Sequence, residues 1–278
     1  MRFAPVRNAL KAWFLLIGTV ALLGLLGYAL DGVRLAWIFV FCGLLLGVGI
    51  YWAAERAVMG TVRGRELPAA EAPSLHSTVE RLAARAGVTK PRLYLIEKGP
   101  PLALATGRGV RSSALAVTSS LVGLPAPAEV EGVLAHELAH VRNRDVIVQT
   151  PVVMLAVWIV EGSRLGGFLQ RPLLFVLGPI AAAFEHLLLS PKRELEADRR
   201  AAEICESPHG LADALGRLDQ AAELLEFAAS PATEPLYTVN PFEERGLAGM
   251  FVTHPPVAER IRRLRDLDPE WRERLRAA

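Results

Sequence analysis

Residues 133–145 read Val-Leu-Ala-His-Glu-Leu-Ala-His-Val-Arg-Asn-Arg-Asp, and the five from His136 to His140 decide what kind of chain this is. On an α-helix, residues four apart stack on one face. Both imidazoles can therefore reach one zinc ion at about 2.0 Å. Glu137 lies about 100° round the same helix, placed to act as general base towards a water at the ion. The flanks also fit a helix: Pro127, Glu129 and Glu131 mark its start, with acids at the positive end of the dipole. Val130, Leu134, Leu138 and Val141 form an apolar stripe that would bury and leave the histidines lining a cleft. The bland alternative is two histidines four apart by chance on a solvated face. With six His in 278 residues, a chance HExxH has an expected count of roughly 0.01, so zinc binding is the reading adopted.

A catalytic zinc keeps three protein ligands and one open position. The metzincin solution needs Gly and His close downstream, but Asn143 and Val146 occupy those places. The candidates are then Glu161, Glu185, His186, Glu194 and Glu196. Residues 193–198, Arg-Glu-Leu-Glu-Ala-Asp, form a polar helical segment in which Glu194 and Asp198 share a face. One could bind metal while the other orients a ligand from behind. If residues 146–190 form an antiparallel hairpin, its ends bring 140 and 194 together, which selects Glu194 as ligand and Asp198 as its support. The competing role for Glu194 is a surface ion pair with Lys192 or Arg193. His254 is a candidate for stabilising an oxyanion, or else a cap on a helix starting at Pro255-Pro256. Asn143, three residues past His140, is a candidate hydrogen-bonding group in the cleft, or else an ordinary Asn near a helix end.

Hydrophobic residues make up 52% of the chain and mean hydropathy is +0.30, so membrane segments are expected. Residues 12–30 and 35–54 carry no charge, and each run of about 20 residues crosses a hydrocarbon core of roughly 30 Å. A signal peptide is rejected because a second span follows at once. Arg2, Arg7 and Lys11 precede the first run, and Arg56, Arg63 and Arg65 follow the second. That bias places the N-terminus and everything after Arg56 in the cytoplasm. The net charge of +2 offers no field for nucleic acid, and Cys42 and Cys205 make no disulfide framework. Strands are expected at 92–96, 102–106 and 114–118, the last as an edge strand for an extended substrate. The apolar stretches 146–160 and 172–190 read as a helical hairpin entering the membrane, where Glu185 and His186 would be costly. Those two residues receive no role. The resulting division is a membrane hairpin 1–56, a protease part 57–145, a hydrophobic hairpin 146–190 and a second protease part 191–278.

The stretch 133–145, the segment 193–198 and residues 253–260, Thr-His-Pro-Pro-Val-Ala-Glu-Arg, together resemble the HtpX-like membrane zinc metalloproteases, relatives of the type I CAAX prenyl endopeptidases. The resemblance covers nearly the whole chain, and length favours the HtpX side. It implies a mainly α membrane protein with a small β-sheet, built around a gluzincin-type site. It implies one zinc held by His136, His140 and Glu194, with Asp198 as the Asp of the family's ExxxD pattern. It further implies an inner-membrane location, a site facing the cytoplasm, and damaged or misassembled membrane proteins as substrates. The sequence departs from the family at residues 102–107, Leu-Ala-Leu-Ala-Thr-Gly, where such chains generally carry Asn first and Phe third. The rival functions are processing of prenylated CAAX peptides and a non-catalytic membrane scaffold stabilised by zinc.

Overall fold

The computed structural model describes residues 4–164, 170–224, 230–240, 253–268 and 270. Both leading apolar runs fall in α1 (Ala4–Thr61), which breaks at Asp31 and Gly32; Gly32 adopts φ 70°, the left-handed region that glycine enters without a Cβ clash. The two limbs fold back on each other over small residues. A Cβ at Gly43 would meet the Leu23 side chain at 2.9 Å, and one at Gly27 would meet the Leu35 carbonyl at 2.7 Å. Away from this seam, Phe14, Leu22, Trp37 and Phe41 are 73%, 68%, 69% and 62% exposed. Within α1 the stretch Leu16–Gly49 is long and apolar enough to cross a membrane.

Beyond α1 come β1 (Arg65–Glu66), α2 (Pro73–Ala86), β2 (Arg92–Ile96), β3 (Ala103–Gly109), β4 (Ser112–Thr118) and the short α3 (Ser119–Val122). The sheet order is β1-β2-β4-β3, with β2 and β4 parallel and the other pairs antiparallel. Residues 114–118, expected at an edge, are therefore interior. The reason is topological: the chain passes β2, forms β3 on the far side and returns by a tight hairpin along β4. Ala114, Leu115, Ala116 and Val117 are all buried, the continuous apolar pattern of a strand covered on both faces. The edges are β1 and β3, and β3 meets Tyr237 in a single bridge at Leu104.

The helices α4 (Pro127–Arg142), α5 (Asp145–Arg164), α6 (Gln170–Leu188), α7 (Lys192–Cys205) and α8 (His209–Leu224) follow, then a 3-10 turn at Pro231–Leu236 and α9 (Val257–Arg265). One sheet face packs with α2, α4, α7 and α8, and the other with α1 and α5. At Arg144, φ 61°, the chain bends by 92° from α4 into α5. Val152, Val153, Met154 and Val157 of α5 are buried against the protein, whereas Phe175 and Leu187 of α6 are 82% and 75% exposed. The connection 165–169, the tip of the expected hairpin, lies outside the described residues.

Helices α4 and α8 approach through Gly132 and Gly210. A Cβ at Gly132 would lie 2.5 Å from the Leu211 nitrogen, a backbone atom that cannot rotate away. Gly132→Ala is expected to destabilise the fold by about 1–3 kcal/mol through overpacking, seen as a lower midpoint in thermal unfolding. Gly216→Ala, whose nearest new neighbour is Ile261 at 3.7 Å, should be neutral or stabilising by up to about 1 kcal/mol.

Candidate metal centre

The middle of α4 is enclosed on every side, and His136, Glu137 and His140 are 0%, 2% and 4% exposed. The two imidazoles bring their Nε2 atoms to 3.2 Å. From the first turn of α7, Glu194 places Oε2 3.3 Å from His136 Nε2 and Oε1 3.5 Å from His140 Nε2. Zinc with four tetrahedral bonds of about 2.0–2.1 Å sets its ligand atoms about 3.3 Å apart, and each of these separations, one between the imidazoles and one from each imidazole to a different Glu194 oxygen, is of that size. Both Glu194 oxygens are buried without a hydrogen-bond partner, Arg193 Nε standing 3.3 Å away as a neighbouring charge. A carboxylate in that setting calls for a cation. Among the described residues, His136, His140 and Glu194 form the one group of such side chains that could hold a metal ion. Glu161, Glu185, His186 and Glu196 lie outside it.

Carboxylates stand behind the imidazoles. Asp145 Oδ2 lies 2.8 Å from His140 Nδ1, and Asp198 Oδ1 lies 2.9 Å from His136 Nδ1, off the line of a good hydrogen bond but within ion-pair reach. His254 Nδ1 meets Glu234 Oε1 at 2.6 Å and turns its Nε2 to within 3.6 Å of Glu194 Oε2. Arg260, fully buried, donates from Nε and Nη2 to the two Asp198 oxygens at 2.8 and 2.7 Å, and from Nη1 to the Thr238 carbonyl. The Thr238 hydroxyl donates to Glu137 Oε1 at 2.8 Å. Asn8, in α1, donates to Asp145 Oδ1 at 2.6 Å and to the Asn143 carbonyl at 3.1 Å.

The charges are strongly coupled. Burial disfavours protonated His140, but the Glu194 and Asp145 carboxylates outweigh it and raise its pKa to about 10. Burial likewise opposes the charge on Glu194, yet His140, His254 and Arg193 hold its pKa well below the usual carboxylate range. For Asp198 burial is overcome by Arg260 and then His136, which bring it to about 2. His254 is raised against its burial by Glu234 and Glu194.

His254 is no helix cap: Pro256 occupies the cap position of α9, and the imidazole turns to Glu234 instead. Asn143 caps α4 and is buried, with its side-chain nitrogen unpartnered and no bond to His136, His140 or Glu194. Asp145, Glu234, Thr238 and Arg260 were not foreseen as parts of the site. Asp145 stood in the decisive stretch, but five residues past His140 it reaches back only because of the bend at Arg144. Arg260 stood in the segment 253–260 that carries the resemblance.

A buried HExxH helix joined by a glutamate from a later helix defines a zinc metallopeptidase site. Comparison with known proteins narrows the class: the pattern of "Peptidase family M48" matches residues 69–268. A relative from Pelotomaculum thermopropionicum, named Protease HtpX homolog, is 37% identical over 275 residues, covering 92% of this chain and 98% of its own. A relative of the same name from Persephonella marina is 37% identical over 278 residues, covering 90% and 96%. The crystal structure of S. mikatae Ste24p is similar in fold, with TM-score 0.50 and 20% identity over 93% of this chain and 64% of that one, so this chain spans just under two thirds of its length. The chain belongs to peptidase family M48 and is a zinc-dependent metalloprotease.

Two substitutions test which of these carboxylates would bind the metal and which would stand behind a histidine. Glu194→Ala should leave the purified protein without stoichiometric zinc by elemental analysis. Asp145→Ala should keep zinc but weaken its affinity by about 10–100-fold in chelator competition, since it frees the His140 ring from its anchor.

Proposed function

We propose that this chain is a membrane-embedded endopeptidase in which His136, His140 and Glu194 hold the zinc and Glu137 is the general base. The observation that carries the reading is the convergence of the two imidazole Nε2 atoms, 3.2 Å apart, on the Glu194 carboxylate, Oε2 3.3 Å from His136 and Oε1 3.5 Å from His140, with Glu137 on the adjacent position of α4. Zinc bound there supplies Lewis-acid chemistry, acidifying water and polarising a scissile carbonyl. Glu137 takes the proton of the attacking water and returns it to the leaving amine, while the Thr238 hydroxyl holds one of its oxygens. His254, its Nδ1 held by Glu234, stabilises the oxyanion. Asp198 and Asp145 orient the His136 and His140 rings, and Arg260 fixes Asp198. The edge of β3, in place of residues 114–118, pairs with an extended peptide backbone.

Both limbs of α1 span the bilayer in this reading, and the α5–α6 hairpin is inserted beside them; the exposure of Phe175 and Leu187 supports that. Charge bias at the two ends of α1 favours a site on the cytoplasmic side of the inner membrane. The bonds from Asn8 to Asp145 and to the Asn143 carbonyl, which tie the end of α4 to the start of α1, support this reading. Such a position suits damaged or misassembled membrane proteins, together with unfolded cytoplasmic chains, as substrates. In this reading the unit 1–56 anchors a protease built from 57–145 and 191–278.

Glu137→Gln should retain one zinc per chain and lose about 10²–10⁴-fold in cleavage of casein, an unstructured protein. Unchanged turnover would reject Glu137 as the base, and no turnover by the wild type would favour the scaffold reading. Preference for lipidated CAAX peptides over casein would move the assignment to prenyl-peptide processing.

A further inference from the structure

A groove of about 500 Å³ opens away from the metal centre, where α1 leaves its apolar stretch and meets the ends of β2 and of the β3–β4 hairpin. Arg56, Lys90, Arg92, Arg108 and Arg111 line it, against Glu55 as the one acidic residue of the lining. Two of the five cations are already matched: Arg92 pairs with Glu55, and Lys90 with Glu80 at 3.1 Å. Among the described residues, Arg56 and Arg111 have no acidic partner. Arg108 is held in place without one, its guanidinium 4.1 Å from the Trp52 ring centre and donating to the Ser112 hydroxyl at 3.1 Å. Stacking on an aromatic ring fixes the plane of a guanidinium and leaves its outer N–H groups free for oxyanions.

The position of the groove is as informative as its charge. Tyr51 and Trp52, 47% and 64% exposed, follow directly on the exposed apolar stretch Leu16–Gly49, where an aromatic belt sits at the level of lipid headgroups. Arg56 lies one helical turn further. We propose that this groove binds the phosphate of an anionic phospholipid headgroup, with Arg108, Arg111 and Arg56 on the phosphate oxygens and the acyl chains running along α1. Guanidinium forks match phosphate oxygens in pairs, and the site has the volume of a small-molecule pocket. A nucleic-acid phosphate is disfavoured by the net charge of only +2 and by the apolar helix beside the groove. The proposal rests on the reading of α1 as membrane-embedded, which is tested separately by whether the chain leaves membranes with detergent but not with high salt or alkali.

The full chain, purified in detergent, is offered phosphatidylglycerol or phosphatidylcholine with identical acyl chains, and retained lipid is read by native mass spectrometry. The expected result is one tightly retained phosphatidylglycerol, no comparable retention of phosphatidylcholine, and a loss of about fivefold in affinity for each arginine charge removed. Arg111→Gln and Arg56→Gln serve as variants because both side chains are exposed and without acidic partners, and zinc content reports that they remain folded. Arg108→Ala tests the stacked group. Equal retention of the two lipids, or unchanged retention in all three variants, overturns the proposal. Binding of inorganic phosphate that displaces the lipid at equal concentration would assign the groove to a soluble phosphate and overturn the lipid source.

Discussion

The structure depends on a buried carboxylate that the protein leaves without a hydrogen bond. Glu194 is 1% exposed, and its oxygens face two imidazoles instead of backbone or hydroxyl donors. Burying such a charge costs several kcal/mol unless a cation answers it. The surroundings add to the demand, because Asp145, Asp198 and Glu234 each stand behind a histidine. Arg260 answers Asp198 at bonding distance and Glu194 only at 3.9 Å. The Glu194 oxygens and the two imidazoles together make a donor set that could hold a metal ion. The packing of α4 on α7 and α8, with glycines at the closest approach, holds that centre in shape.

The parts of the site that share a helix were legible in the sequence. His136, Glu137 and His140 were picked by helical spacing; the same rule paired Glu194 with Asp198, and the hairpin topology and the family resemblance chose Glu194 among five candidates. The parts that arrive from irregular backbone were not. Asp145 reaches His140 across a bend whose left-handed residue is Arg144, an arginine rather than the glycine or asparagine that would have announced it. Glu234 and Thr238 come from a stretch with no periodicity, so nothing local marks them as facing the cleft. The sheet shows the same division. All three principal strands were legible as apolar runs, but their order was not, because a run buried on both faces looks the same whichever neighbours flank it.

The N-terminal helix is more than an attachment in this arrangement. Its first limb reaches the metal centre in two bonds: Asn8 donates to Asp145, and Asp145 meets His140. Lys11, one turn on, donates to the Leu188 carbonyl at the end of α6, 2.7 Å away. The glycine seam that folds α1 back on itself also sets where both its ends emerge. A shift of that hairpin along its own axis would move Asn8 relative to Asp145, the carboxylate that meets the His140 ring.

The segment 230–240 ties the remaining elements together, and its irregularity explains how. A helix or a strand offers a given neighbour one face at a time. Here the Pro235 carbonyl accepts from Gln149 of α5 and, at 2.9 Å, from Arg193 of α7. Glu234 takes the Thr253 backbone nitrogen and hydroxyl as well as the His254 ring. Tyr237 bridges the edge of β3, and Thr238 gives its hydroxyl to Glu137 and its carbonyl to Arg260. Pro231 and Pro235 carry no backbone N–H, so the segment lies buried with fewer donors to satisfy. Side chains and carbonyls can then point to several elements within a few residues. It follows that a peptide pairing along β3 must contend with Tyr237 for the backbone at Leu104, and that any movement of Tyr237 is passed one residue on to the hydroxyl that holds Glu137.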